Sequence, residues 1–476
     1  MRVIFKTFSL IFCLSLSFCF FSTCKRQEEM SSYNLSVRYD EGIIDGKLRY
    51  KFVNSYKTTF EHLVFNLHAN AYKEGACHAP VTESTKARAY PNGLSYGHVS
   101  VNKVRLAEQS VNYEVYGDDC QFLKIYTGEI KDGKTVEVEI DFQTVLPEST
   151  LRLGKTSLGV NLGDFFPTAC KIENGAFKEI TYSSLGDPYA SNPHDYNVNV
   201  TVPSEYTVAS SGFPTLTEVE GAYTTYSYEL FKGRDFALAL SKNYKVFSKT
   251  HNGIVFTYYG FSDDGEDALN RVIDSAEFYS NSFGDYPYKS LSVAECDFIF
   301  GGMEYSGLCF VNSSLSKEDK MQVISHEVAH EWWRCGVESD QISSAYIDEG
   351  LAEYSTYLFT LKNVSNQDAE KLITSAKLGY KSFFSIEETL TGNVNTAMER
   401  ELSSFKNEFE YANLAYNKSL IMFYEYGKVI GDDKAIKNLS RLYSNNVFGD
   451  VTLQKLIDTL GHKEHFLSFV EGKVLI

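Results

Sequence analysis

His326-Glu327-Val328-Ala329-His330, followed after eighteen further positions by Glu349 in Asp348-Glu349-Gly350-Leu351-Ala352-Glu353-Tyr354, is the part of this chain best equipped for chemistry. On a helix, positions i and i+4 lie on one face a turn apart. His326 and His330 can therefore present both imidazoles to one metal ion, with Glu327 beside it. Two His and one Glu suit Zn2+ and leave the fourth tetrahedral position to water, the open arrangement of a catalytic rather than a structural zinc. The reading is one Zn2+ per chain on His326, His330 and Glu349, with Glu327 as general base for a metal-activated water.

Two helices must position these groups. The first is predicted over Ser316 to Arg334: Ser316 and Asp319 form a capping pair, and Met321, Ile324, Val328 and Trp332 fall at helical spacing. The second is predicted over Tyr346 to Leu361, with Leu351, Tyr354, Leu358 and Leu361 as its apolar side. Packing one on the other delivers the third ligand. Glu353, one turn past Glu349, is either a carboxylate that orients a ligand histidine or half of a surface salt bridge.

The run His326 to Trp333, its spacer and Tyr346-Ile347-Asp348-Glu349-Gly350-Leu351-Ala352-Glu353-Tyr354 resemble the zinc aminopeptidases of the aminopeptidase N family, a branch of the gluzincins. Gly301-Gly302-Met303-Glu304-Tyr305, with Glu304 placed 22 residues before His326, resembles that family's Gly-Xaa-Met-Glu-Asn substrate motif. Tyr416-Asn417-Lys418-Ser419 looks like its Tyr-Xaa-Lys-Gly, whose tyrosine is catalytic. The resemblance implies that Gly301, Gly302, Met303 and Glu304 bind substrate. Glu304 would sense the free N-terminal ammonium, and Tyr416 would stabilise the oxyanion, with Tyr411 as its rival. Gly301 and Gly302 would let an extended peptide come close to the backbone. Two features depart from the pattern: Tyr305 stands where the motif has Asn, and the β domain shows no clear match for the family's second amine-contacting Gln or Glu.

Ahead of these motifs, Met1 to Cys24 reads as an export signal, with Arg2 and Lys6 before the uncharged run Phe8 to Phe21. Phe21-Ser22-Thr23-Cys24 is similar to a bacterial lipoprotein processing site, which would make Cys24 a lipidated N-terminus in the cell envelope or periplasm. An ordinary cleaved signal and an uncleaved anchor are the alternatives. The membrane association foreseen for the processed chain is only through the lipid at Cys24. A formal charge of −17 argues against nucleic acid as a partner. Of nine cysteines, the six beyond the signal have spacings that suggest no disulfide framework and no zinc ligand.

From Ser31 to Asn243 the chain alternates as β structure. Val136, Val138, Ile140 and Phe142 interleave with acidic residues, and Tyr196, Val198, Val200 and Val202 with Asn197, Asn199 and Thr201. Weaker alternation runs over Tyr33 to Tyr39, Leu48 to Phe52 and Leu63 to Leu67. Further on come a strand at Ile254 to Tyr259, a helix at Glu266 to Phe283 and C-terminal helices at Asn413 to Ile430, Ala435 to Tyr443 and Leu453 to Leu460. The expected chain is multidomain α+β. Residues 1–24 are the signal, 25–243 an N-terminal, mostly antiparallel β domain, and 244–476 a thermolysin-like, mainly α-helical zinc catalytic domain. By the resemblance it is a short member without the long C-terminal helical domain of larger relatives. The activity implied is removal of the N-terminal residue from peptides with a free N-terminus. A zinc endopeptidase or other zinc hydrolase on the same scaffold, and a surface binding protein without turnover, are the alternatives.

Overall fold

The computed structural model describes residues 29–474. The proposed export signal and Cys24 lie outside those residues.

The N-terminal part is built on an eight-stranded sheet of β1 (Ser32–Asp40), β2 (Ile43–Val53), β3 (His98–Leu106), β4 (Gln109–Ser110), β5 (Thr135–Val145), β6 (His194–Pro203), β7 (Phe213–Glu220) and β8 (Tyr223–Gly233). Their order is β7-β8-β6-β1-β2-β5-β3-β4, and every pair is antiparallel except β1 with β6. Alternation in the sequence becomes alternation in space: Tyr33, Leu35, Val37 and Tyr39 are buried while Ser36, Arg38 and Asp40 face out. Two four-stranded sheets and a two-stranded one complete this part, and Phe165 and Phe166 fill the space beneath the large one, Phe166 meeting Tyr33 edge-on.

His194, at the start of β6, lies in this core with its Nε2 3.0 Å from the Tyr50 hydroxyl. Burial pushes its pKa down to about 4 from an ordinary 6.5. The unfolded chain therefore takes up a proton as pH falls through 6.5, which the folded ring refuses until about 4, so stability is lost with acidification across that window. The full loss is about 3 kcal/mol. Replacing His194 with Gln is expected to flatten the decline in urea stability between pH 6.5 and 4 by close to one proton. An unaltered decline would rule out His194 as its source.

A five-stranded sheet opens the second part: β9 (Lys245–His251), β10 (Ile254–Gly260), β11 (Ser290–Cys296), β12 (Gly302–Tyr305) and β13 (Leu308–Asn312), in the order β9-β10-β11-β13-β12. Strand β12 is thus an edge, and it carries the Gly-Met-Glu residues. Helices follow, with α1 (Gly265–Phe283), α2 (Lys317–Ala329), α3 (Asp348–Phe359), α4 (Asn366–Thr391) and α5 (Ser419–Ile430) surrounding the site. The foreseen α1 face of Leu269, Val272, Ile273, Ala276 and Tyr279 is buried, and the Tyr279 hydroxyl donates to the Ser325 carbonyl of α2 at 2.9 Å.

The helix foreseen through Arg334 is shorter. Ser316 caps α2 by accepting from the Asp319 amide, but the α-helix stops at Ala329 and the chain kinks at Trp333 and Arg334, whose backbone angles are not helical. Trp332 and Trp333 account for the break. Both are buried, and their indole N–H groups donate to the Gly284 carbonyl and the Ser355 hydroxyl, each at 2.8 Å. A continuous α-helix would turn at least one of them away from its partner. The second helix likewise begins at Asp348 rather than Tyr346 and passes into a π turn at Thr360–Val364.

The two parts are joined by buried charge. Arg234 donates to the carbonyls of Cys335 at 3.1 Å and Gly449 at 2.9 Å, and Asp235 pairs with Arg334 and accepts from the Ser306 amide at 2.7 Å. All six cysteines within the described residues are free. Among those residues no helix is long and apolar enough to cross a membrane.

Candidate zinc site and substrate cavity

Helix α2 presents His326 and His330, and α3 brings Glu349 to them. The Nε2 atoms of the two imidazoles are 3.0 Å apart, and Glu349 Oε2 is 3.4 Å from one and 3.3 Å from the other. Ligands about 2.05 Å from a tetrahedral zinc are separated by about 3.3 Å, so this triangle has the dimensions of three zinc ligands. Glu349 Oε2 has no hydrogen-bond partner although it is buried, which fits a metal donor. Burial opposes charge on both imidazoles, yet Glu349 with Glu353 at His326, and Glu304 with Glu349 at His330, outweigh it and draw positive charge to the ring pair. Burial would also raise Glu349, but the two imidazoles hold it down to about 2. Three donors, one open side and an acidic surround fit a divalent cation.

The far side of each ring is occupied. His326 Nδ1 lies 3.4 Å from Glu353 Oε1, and His330 Nδ1 lies 3.3 Å from the Trp333 carbonyl. The kink at Trp333 is what places that carbonyl. Of the two roles open to Glu353, the geometry favours orienting a histidine, since no Lys or Arg among the described residues pairs with it.

Close helix packing brings the tyrosine in. A Cβ on Gly350 would lie 2.7 Å from the Ser419 Cβ, so only glycine lets α3 approach α5 this closely. The Tyr416 hydroxyl then donates to Glu349 Oε1 at 2.6 Å. Tyr416 sits on the π-wound segment Ala412–Lys418, anchored by Lys418, whose buried amine donates to the carbonyls of Thr396 at 2.6 Å and Phe469 at 2.8 Å. Tyr411 also borders the cavity, edge-on to Tyr416 at 5.9 Å between ring centroids, but Tyr416 alone of the two bonds a ligand carboxylate.

Glu327 is buried against β12. A Cβ on Gly302 would stand 2.3 Å from Glu327 Oε1. Gly302 therefore makes room for this carboxylate as well as leaving the strand edge open, a requirement that the glycine pattern alone did not reveal. Gly301 is less crowded, a Cβ there meeting Val323 at 3.5 Å. Burial pushes Glu327 up to about 8, with His326 opposing. Glu304 is also buried. Its Oε1 lies 3.4 Å from Gln341 Nε2 and 3.9 Å from Arg334 Nε, which places it at the end of the chain Asp235, Arg334, Glu304. Met303 accepts from Arg152 at its sulfur, 3.1 Å away, and Tyr305, the departure from Asn, packs its hydroxyl against Gly163.

The two imidazoles, Glu349, Glu327, Glu304, Met303 and Tyr416 line one cavity of about 360 Å³. Its wall from the N-terminal part includes Asp187, which pairs with Arg152 and adds to the rise that burial gives the pKa of the nearby Glu304. Sequence reading missed Asp187. It lies in irregular chain between strands, where no periodicity marks it, and Gly186-Asp187 is a common turn pair.

Residues 267–471 match the peptidase family M1 domain. Aminopeptidase M1-B of Oryza sativa subsp. japonica is 28% identical over 183 residues, 34% of this chain and 21% of that protein. Endoplasmic reticulum aminopeptidase 2 of Bos taurus is 26% identical over 286 residues, 52% of this chain and 29% of that protein. The chain thus spans between about a fifth and a third of the length of these relatives. Among solved structures, the M1 zinc metallopeptidase of Deinococcus radiodurans superposes with a TM-score of 0.65 at 15% identity, covering 94% of this chain and 95% of that one. A variant of the same protein, solved with a Tyr-Ser-Ala substrate, gives 0.66 at 14% identity over 94% and 96% of the two chains.

Proposed function

Since the chain carries a peptidase family M1 domain over residues 267–471 and the fold of an M1 zinc metallopeptidase, we propose that it is a zinc-dependent aminopeptidase, exported by the segment before Lys25. The observation that carries this reading is a buried carboxylate, Glu304, opening on the same cavity as the His326, His330 and Glu349 triangle. The nearest cation to this buried carboxylate, Arg334 at 3.9 Å, is itself paired with Asp235, which leaves room for a second cationic partner, and the free N-terminus of a peptide is one. Asp187 would supply the second acidic contact from the N-terminal part.

His326, His330 and Glu349 would hold the zinc, which supplies Lewis-acid polarisation of the scissile carbonyl and acidification of water. Glu304 fixes the substrate ammonium, and the free edge of β12 aligns the peptide backbone. Glu327 accepts the proton of the attacking water and delivers it to the departing amine nitrogen. The Tyr416 phenol donates to the oxygen on which negative charge develops. A tripeptide was bound by the like-folded Deinococcus radiodurans variant, which supports peptides as the substrate class.

The test compares matched peptides with free and acetylated N-termini on the purified chain from about Lys25. Release of the first residue from free peptides only, stopped by a chelator and restored by Zn2+, is the expected result. Equal cleavage of both kinds would remove the ammonium sensor and point to a zinc endopeptidase, and turnover that survives complete metal removal would refute the mechanism.

A further inference from the structure

Arg88 stands out in the substrate cavity. The cavity is rich in acid, with Asp187, Glu304, Glu327, Glu349, Glu353 and Glu408 on its wall, and its only Lys or Arg residues are Arg88 and Arg152. Arg152 is buried and paired with Asp187. Arg88 is exposed, and among the described residues no carboxylate lies within ion-pair distance of it. A guanidinium has five N–H donors. One Arg88 nitrogen, Nη2, donates to the Ile299 carbonyl at 2.8 Å, which fixes the group at the cavity wall.

Its position is built from both parts of the chain. The Ile299 amide donates to the Thr150 carbonyl at 3.0 Å, and the Thr150 amide to the Ala89 carbonyl at 3.0 Å, stitching the Arg88 segment to the approach to Gly301. On the other side, the hydroxyls of Thr82 and Thr85 donate to Glu408 Oε1 at 2.6 and 2.9 Å, which occupies that oxygen and ties the segment to the start of the short helix Glu408–Tyr411. Residues 82–89 thus cross the cavity from the β12 side to the tyrosine side.

Two points give the direction of a bound peptide. Its ammonium belongs at Glu304, and its scissile bond belongs at Glu327, whose carboxylate rests against Gly302. The remainder of the peptide therefore continues past Gly301 toward Ile299, where Arg88 waits. The chain from Gly302 to Ile299 spans at most about 10 Å, or roughly three extended residues. We propose, resting on the aminopeptidase reading, that Arg88 is a specificity residue that binds the free C-terminal carboxylate of short peptides, of about three or four residues.

The test takes a tripeptide acid, its C-terminal amide, and an aminoacyl 4-nitroanilide that has no carboxylate. The wild type should favour the acid over the amide in kcat/KM by about 10- to 100-fold, the value of a charge-assisted pair. Arg88→Ala should bring that ratio close to one, and Arg88→Lys should keep part of it. A ratio near one in the wild type, or one that Arg88→Ala leaves intact, overturns the proposal while chelator-sensitive turnover of the anilide upholds the aminopeptidase. Should neither peptides nor anilide be turned over, the aminopeptidase reading falls. Calorimetry of the acid and the amide on the zinc-loaded chain and on Arg88→Ala then decides for or against Arg88 by the same ratio.

Discussion

Glu327→Gln is expected to lower kcat by about 10²- to 10⁴-fold, the usual contribution of a general acid–base group. Zinc content should be unchanged, because Glu327 lies against Gly302 and is not among the three donors of the triangle. Glutamine matches the volume of the carboxyl in its packed site and removes only the capacity to take a proton. The variant should therefore still bind peptide, and titration of a non-hydrolysed substrate by calorimetry would show it. A variant that keeps more than a tenth of the wild-type kcat would refute the role, as would one that loses its metal.

The second large effect is expected of Tyr416→Phe, a fall of about 10²- to 10³-fold in kcat with little change in KM, as for loss of an oxyanion donor. The phenol also donates to Glu349 Oε1, so its loss leaves that ligand carboxylate one bond poorer. Assays at saturating Zn2+ separate the two consequences, since weaker metal binding of about 10- to 100-fold is then masked. Tyr411→Phe should cost far less. If the order of the two variants were reversed, the catalytic phenol would be Tyr411, and the bond to Glu349 would be a structural tie.

Much of the candidate site was legible because its parts are local. The two histidines and Glu327 share one helix, and a face repeated every 3.6 residues is a property of sequence. Strands β1, β5 and β6 were legible for the same reason, through a period of two. What escaped was whatever depends on chain meeting chain. The kink at Trp333 and Arg334 exists because two indoles must reach Gly284 and Ser355 on other elements. Asp187 enters the cavity from irregular chain and Arg88 from the four-residue helix Lys86–Ala89, neither long enough to carry a repeat. The Gly302 requirement needs a carboxylate 25 positions further along to be laid against it. Helix α4 is a different case: Ala369, Ile373, Ala376, Tyr380 and Phe383 are spaced for one buried face and Ser365 caps it, so its signal was present but lacked chemistry to draw the eye.

The wide winding of Ala412–Lys418 ties chain length to catalysis. A π turn accommodates one residue more than the α turn it replaces, and it persists only where neighbours hold the extra residue in place. Here Lys418 and the Gly350 crossing pin one end, and Glu408 and its two threonines pin the other. Deleting a single residue between these pins would remove the one the wide turn absorbs, let the segment relax to ordinary α pitch and change the angle at which Tyr416 leaves the helix. Its hydroxyl would then lose its aim at Glu349 with every residue of the motif still present. The spacing between Glu408 and Tyr416 is therefore as much a part of the active site as the residues themselves, and a relative that keeps the motif but changes this interval would have to rebuild its oxyanion donor from another position.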